Sequence, residues 1–454
     1  MFTNTATIDG LVRDIFEELQ PPGLACAITA EGKIRYLATH GVCNSEHSTP
    51  LGADISFPIG SLTKSFAAAA ILMLRDEGRL NLAQSPRNFV PELGSDWDGT
   101  SLFQLLSMQS GLGEDFGGSW AEQHLPLSNP EISQRFAVPL IRAALPGTQY
   151  FYSNFGYMVL GRVISRASGQ DARAFIAQRL LDPLGMTSTS WSVPGANAAC
   201  GYRRGENRFE KESLLSGCND GAVFGGLWSS LPDMAHWVDF LASAHGSDGE
   251  RYEQILSGTS RLEMQRAVAL RPIAPVDEPN KPPVCLGYGF GLVNQPSRFE
   301  WTVGHGGAVP GFGCHMRWSP NTGIGLVAFA NLRYADLSEG CERILAAATE
   351  KAPSRVAPIH PKVAARASAL LDLVSEWNLA VAEELFAFNF FVDYPREEVA
   401  KQFKELREEF GGQLADAQIV QLGGLSAKIM ISDSAIMTFT VSSFEPGHVQ
   451  ELIF

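Results

Sequence analysis

The 454-residue sequence predicts a mixed α/β fold of the α+β kind. One antiparallel sheet is built from both ends of a first domain, 1–351, with helices on its flanks and a helical region between. Three observations predict it. Strand-like segments cluster near both ends of 1–351 and helix-like segments fill the middle, which makes one sheet assembled from the two termini rather than two sequential domains. Residues 352–362 carry three prolines and read as a linker. Residues 363–454 run helices first and strands last, a separate small α+β unit.

In order along the chain, Ile8, Leu11, Val12, Ile15, Phe16 and Leu19 fall at helical spacing, and Pro21-Pro22-Gly23 ends that helix. Leu24–Thr29 and Lys33–Thr39 read as two strands joined by Glu31-Gly32, a hairpin signal. Phe57-Pro58-Ile59-Gly60 then runs into an apolar helix beginning at Ser61 and stopping near Gly78. Ser101–Ser107 is a second helical segment. Residues 112–140 are loop-like, with Gly, Pro and Trp120, and read as one wall of a cleft or a surface insertion. A Pro146-Gly147 turn leads through aromatic residues to a helix from Tyr157, and helices continue to Leu181. Residues 191–221 and 245–283 look irregular. Between them Ser230 is placed to cap a helix with Pro232 in its first turn. From Gly287 the texture is β, with Pro320–Gly323 turning between two strands. A helix over 337–349 completes the first domain. In the second, 363–388 and 395–410 read as helices, and three or four strands follow from 415 to 454.

Net charge is −14, with 35 basic against 49 acidic residues, which argues against a nucleic-acid partner and gives no reason for binding anionic membranes. No stretch is long and apolar enough to span a bilayer. The N-terminus shows neither a basic segment nor an apolar run, so a cytoplasmic location is expected. The seven cysteines are scattered, and no His/Cys cluster suggests a metal site or a disulfide framework, so no metal and no cofactor is expected.

Three short stretches carry chemistry. Ser61 and Lys64 are three apart at a helix start and share one face. A lysine beside a serine in a semi-buried pocket can act as base, and the serine can then attack a carbonyl. Tyr152-Ser153-Asn154 supplies a phenol for proton transfer and an amide able to bond Lys64 or substrate. His305-Gly306-Gly307 lies on a Gly-rich strand read as an edge strand, which Gly306, Gly307 and Ala308 leave bare of side chains so that a substrate backbone can lie close. An N–H of Gly306, Gly307 or Ala308 can pair with the Ser61 N–H as an oxyanion hole. Asp115 and Trp228 are candidates to line the cleft.

These stretches, their order and their context resemble the serine β-lactamase/penicillin-binding-protein superfamily, in its class C-like branch of esterases, D-aminopeptidases and D-amino-acid amidases. The resemblance covers roughly residues 8–350 and extends to Leu105–Leu112, Pro183–Met186 and Gly225-Gly226-Leu227. It implies a β-lactamase-like fold, Ser61 as acylated nucleophile, Lys64 and Tyr152 as general base/acid pair, Asn154 as orienting side chain, His305 in the third motif, and the Ser61 and Ala308 N–H groups as the oxyanion hole. β-Lactamases of this branch carry Lys-Thr-Gly where this chain has His305-Gly306-Gly307, which removes a fixed cation. The resemblance therefore implies a serine hydrolase acting on a small ester, amide or D-residue peptide. Transfer of a carrier-bound peptidyl group to an amine, β-lactam hydrolysis, and a non-catalytic binding protein of the same fold remain the alternatives. The C-terminal unit resembles cystatin- or NTF2-like units and is a candidate surface for homo-oligomer formation.

Overall fold

The computed structural model describes residues 5–113, 141–213, 220–246, 249–273, 284–297, 301–353, 355, 359–422, 424–431, 434–444 and 446–454. The chain forms two compact units, Met1–Arg355 and Val356–Phe454.

In the first unit, α1 (Thr5–Leu19) precedes β1 (Gly23–Ala30) and β2 (Lys33–Asn44). Glu31 and Gly32, both at positive φ, turn the β1–β2 hairpin, as the tight Glu-Gly connection predicts. Short strands follow: β3 (Thr49–Pro50) and β4 (Phe57–Pro58), and later β5 (Tyr202–Arg204), β6 (Phe209–Lys211) and β7 (Trp228–Ser229). The late strands are β8 (Ala269–Ile273), β9 (Val284–Tyr288), β10 (Val293–Pro296), β11 (Trp301–Val309), β12 (Phe312–Trp318) and β13 (Gly325–Ala330). The main sheet runs β3-β2-β1-β13-β12-β11-β10-β9-β8, so the first hairpin meets the last strand of the unit. The β1–β13 pairing, Leu24 opposite Ala330 through Thr29 opposite Gly325, closes the sheet from the two ends of the domain.

Helix α2 (Thr63–Asp76) is buried from Thr63 through Leu74. A helix apolar on every side has to lie inside the protein. Four successive alanines, Ala67–Ala70, keep it slim, and Phe66 stacks on Trp237 at 3.7 Å between ring centroids. Helix α3 (Asn154–Ser168) packs beside it. It begins three residues earlier than the sequence suggests, because Ser153 caps it by accepting from the Gly156 N–H at 3.1 Å. Helices α4 (Leu231–Ala242) and α5 (Ser338–Thr349) cover the sheet, α4 with the expected Ser230 cap.

Parts of two stretches that look irregular in sequence form regular structure. Residues 202–211 form the β5–β6 hairpin, and the stretch 245–283 contains a helix over Gly258–Gln265 and edge strand β8. Their apolar pattern is thin because each lies at the rim, with one face in solvent. In the second unit, α6 (Pro361–Ser375) and α7 (Arg396–Phe410) accompany β14 (Gln418–Gln421), β15 (Ser426–Ile431), β16 (Ser434–Val441) and β17 (Val449–Ile453), one antiparallel sheet in chain order. The continuous helix expected over 363–388 breaks instead. Glu376 is extended, and Asn378 caps a new helix by accepting from the N–H groups of Ala380 and Val381.

The site is set by how β11 meets the turn before α2. Strand β11 is internal to the sheet, not at its edge, since β12 pairs with it from Val303 to Val309. On its other side β10 pairs only up to Gly304, so residues 305–309 have one open edge. That edge abuts the single turn of 3-10 helix Gly60–Leu62. A Cβ on Gly307 would lie 2.1 Å from the Ile59 carbonyl oxygen, whereas one on Gly306 would meet only the His315 ring, at 3.6 Å. Gly307→Ala is therefore expected to lower stability by about 1–3 kcal/mol through forced backbone separation, with Gly306→Ala well below that. Thermal unfolding of the two variants side by side checks this difference.

Candidate active site

Ser61 sits in the middle of the Gly60–Leu62 turn, just ahead of α2. Gly60, at φ +51°, makes that turn possible, and a side chain there would run into the Ala308 N–H at 2.9 Å. One turn on, Lys64 is fully buried. Its ammonium donates to Ser61 Oγ at 2.9 Å, to Asn154 Oδ1 at 2.8 Å and to the Phe224 carbonyl at 2.8 Å. These three acceptors match the three donors of an ammonium, and all three are neutral. The same Nζ lies 4.8 Å from the centre of the Tyr152 ring and 5.6 Å from that of Phe224. Tyr152 in turn donates its hydroxyl to Ser61 Oγ at 2.8 Å. Four of the expected site residues, Ser61, Lys64, Tyr152 and Asn154, thus share one hydrogen-bonded cluster drawn from two distant parts of the chain.

Local structure explains how Tyr152 gets there. Met108 has a positive φ of 59°, a conformation uncommon for a side-chain-bearing residue. It turns its carbonyl to the Phe151 N–H at 2.7 Å and its sulfur to the Ser153 N–H at 3.2 Å. The residue between those two anchors is Tyr152. The Leu105–Leu112 stretch therefore acts at the site by bracing it.

His305 is buried beside this cluster, its ring 6.2 Å from that of Tyr152. Its Nδ1–H donates to the Gly306 carbonyl at 2.6 Å, which leaves Nε2 to accept from the Tyr288 hydroxyl at 3.4 Å. Burial, then the charge of Lys64, pushes its pKa down to about 4, against a weaker raising effect of the Gly306 carbonyl. His305 is a neutral imidazole at pH 7. Tyr157 and Tyr288 stand behind it, and burial holds both phenols well above their ordinary range. Tyr157 donates to the Leu106 carbonyl at 2.9 Å.

The Ser61 N–H belongs to the first turn of a helix, where backbone donors lack an intrahelical acceptor, and the Ala308 N–H lies against Gly60 across the open edge of β11. Gly307 presses on the turn, as its missing side chain requires. Gly306 is exposed and has room for a side chain. Trp228 does not line the cleft as a free side chain. It is fully buried, held by β4–β7 pairing and an edge contact with Phe312 at 6.0 Å. It forms the floor of an open depression with Pro58, Gly225, Gly226, Val309 and Phe312. Asp115 lies outside the described residues.

A sequence reading of residue types had no means of finding the Phe224 carbonyl or the Tyr157–Tyr288 backing. Only the Gly225-Gly226 pair next to Phe224 hinted that backbone comes close there. Among the described residues, no group of three or more His, Cys, Asp or Glu side chains is placed to hold a metal, and no helix is long and apolar enough to cross a membrane.

A beta-lactamase family model matches residues 8–349. The chain belongs to the beta-lactamase family. As a family member it is 25% identical over 369 residues to a beta-lactamase of Pseudomonas fluorescens, a match covering 75% of this chain and 96% of that one. It is 24% identical over 340 residues to protein flp of Staphylococcus aureus, covering 72% of this chain and 62% of flp, less than two thirds of that protein's length. Among solved structures, an octameric penicillin-binding protein homologue from Pyrococcus abyssi superposes with a TM-score of 0.66 at 22% identity, covering 97% of this chain and 94% of the other. A class C beta-lactamase mutant superposes with 0.63 at 20% identity, covering 75% and 96%. The fold is thus the class C-like one of this serine hydrolase family.

The low pKa of His305 has a consequence for stability. Unfolded, the imidazole takes up a proton below about pH 6.5. Folded, it resists until about pH 4. The unfolded state therefore binds more protons in that window, and stability falls as pH drops through it, by on the order of 3 kcal/mol for this group alone. His305→Asn is expected to remove that share of the decline. Urea unfolding of both proteins at pH 7 and pH 4.5 measures it.

Proposed function

We propose that this beta-lactamase-family serine hydrolase takes an acyl group onto Ser61 from a small ester, amide or D-residue peptide and passes it to water. The observation that carries the reading is that Ser61 Oγ lies 2.9 Å from Lys64 Nζ and 2.8 Å from the Tyr152 hydroxyl. With both groups donating, the two lone pairs of Oγ are taken up and its own proton points outward. Attack requires one of the two to become the acceptor, so Lys64 and Tyr152 are assigned the roles of base and proton shuttle, both in contact with the same oxygen and with Nζ 4.8 Å from the centre of the Tyr152 ring. Asn154 positions Lys64. The Ser61 and Ala308 N–H groups are assigned to the developing oxyanion, where one donor is worth roughly 10²–10³ in rate. The tetrahedral intermediate then collapses as Tyr152 or Lys64 returns the proton to the leaving group.

The neutral His305 supports the ester, amide or peptide reading, because this strand position supplies no fixed cation. Two other readings rest on specific observations. The relation to a named beta-lactamase supports β-lactam hydrolysis. The octameric state of the Pyrococcus abyssi homologue, whose match spans both units of this chain, supports self-association. The same proposal takes the protein as a cytoplasmic enzyme with a small-molecule or short-peptide substrate, in keeping with the free state of all six described cysteines.

A fluorophosphonate probe is expected to add once per chain, at Ser61, with no addition to Ser61→Ala by peptide mass spectrometry. On p-nitrophenyl butyrate, Tyr152→Phe is expected to lose about 10²–10⁴-fold in kcat. Equal turnover by Ser61→Ala and the unmodified protein would sink the proposal. Nitrocefin cleaved with a far higher kcat/KM than any ester or D-residue amide would replace it with the β-lactam reading.

A further inference from the structure

We infer that Arg271, with Tyr150, forms an anion-recognising end of the cleft, so that the preferred substrates carry a carboxylate; this rests on the acyl-transfer reading above. Its starting point is the missing cation on β11. His305 cannot supply one, since it is buried, its Nδ1–H is spent on the Gly306 carbonyl, and its Nε2 faces the Tyr288 hydroxyl. A different strand does. Arg271 lies on β8, the edge strand of the sheet, opposite Leu286 in register, and Ala269, two residues earlier, lies opposite Tyr288. Alternation along a strand puts Ala269 and Arg271 on one face, and directly opposed residues share that face, so the Arg271 side chain points to the same side as Tyr288. Ring contacts agree. The guanidinium lies 5.9 Å from the centre of the Tyr150 ring, Tyr150 lies 5.5 Å from Tyr288, and Tyr288 lies 6.0 Å from His305. From His305 the wall continues to Tyr152 and Ser61. Arg271 therefore stands at the outer end of an aromatic wall whose inner end touches the nucleophile. Its charge is felt as far in as His305.

The side chain is exposed, while the ring under it is half-buried. A guanidinium resting on an aromatic face keeps its planar fork of donors outward, a geometry suited to the two oxygens of a carboxylate. An exposed ion pair in water is worth little, but one formed on an aromatic wall beside a bound substrate is partly shielded from solvent. The carboxylate can sit on the acyl part or on the leaving part of the substrate, and the experiment separates the two.

Wild type, Arg271→Ala, Arg271→Lys and Arg271→Glu are compared on two matched pairs. p-Nitrophenyl hemiglutarate against p-nitrophenyl valerate places the charge on the acyl side. 3-Acetoxybenzoate against 3-acetoxybenzamide places it on the leaving side. The readout is the ratio of kcat/KM for the charged over the neutral member, with circular dichroism confirming that each variant is folded. In one of the pairs the wild-type ratio is expected to be about tenfold or more in favour of the anion. Alanine brings it near one, lysine retains part of it, glutamate inverts it, and added salt weakens it in the wild type. A wild-type ratio near one in both pairs, or a preference that survives Arg271→Ala and Arg271→Glu, overturns the inference while leaving acyl transfer intact. Ester turnover that does not depend on Ser61 overturns the acyl-transfer reading itself.

Discussion

The structure depends on a buried ammonium. Lys64 lies inside the first unit with no exposure, and an ammonium there is tolerable only if its three protons find acceptors. One comes from its own helix turn, Ser61 Oγ. One comes from the start of α3, Asn154 Oδ1. One is a main-chain carbonyl, that of Phe224. Each acceptor belongs to a different part of the chain, so satisfying one side chain pins three segments together. The cost of leaving any of these bonds unmade, about 1–3 kcal/mol, makes their convergence self-enforcing. Whatever chemistry the site performs is built on a contact that the fold needs anyway.

The surrounding elements keep that convergence in place. The four alanines of α2 let α3 approach closely. The Thr63 hydroxyl accepts from the Leu227 N–H, and the Ile59 N–H donates to the Leu227 carbonyl, so the segment carrying Phe224 is tied to both sides of the Ser61 turn. The Ser65 hydroxyl donates to the Leu62 carbonyl and accepts from the indole of Trp237. Thr63, Lys64 and Ser65 are three successive polar residues at the start of a buried helix, and each is used. From the other side Gly307 brings β11 against the turn, and Met108, in its unusual backbone conformation, aims Tyr152. Ser61 is held by the backbone of its turn and by the glycines packed against it as well as by its side-chain bonds to Lys64 and Tyr152.

Much of this was legible in the sequence. The three-residue spacing of Ser61 and Lys64, the Tyr152-Ser153-Asn154 stretch after its Pro-Gly turn and the Gly-rich strand at His305 all identify side chains, and side chains are what a sequence prints. The two-ended sheet was legible because β1 and β13 are near-continuous apolar runs, buried on both faces. What was not legible is mostly main chain. The carbonyl of Phe224 has no residue-type signature, and neither does the open edge that β11 gains where β10 stops at Gly304. Trp228 is a candidate cleft aromatic by residue type, yet strand pairing with Phe57-Pro58 leaves it fully buried. The helix at Gly258–Gln265 has a weak apolar pattern, although Arg261 in it is fully buried, its guanidinium donating to the carbonyls of Leu256 and Phe240. Burial of a charged residue paired with backbone defeats any reading based on apolar periodicity.

The exchange of a lysine for His305 changes more than one charge. A lysine at this position would set a second ammonium close to Lys64, and the two would raise the cost of each other's proton. A neutral imidazole leaves Lys64 as the cation of that cluster, and its own pKa is lowered by that neighbour. The ring also does structural work that an ammonium cannot. It fixes its tautomer on the Gly306 carbonyl and turns an acceptor, Nε2, toward Tyr288. That carbonyl is in the part of β11 that β10 leaves unpaired, and the imidazole takes one of its two lone pairs. In the same part of the strand the Ala308 N–H lies against Gly60 of the Ser61 turn. His305 thus sets both the charge and the hydrogen bonding of this part of β11 from within the core.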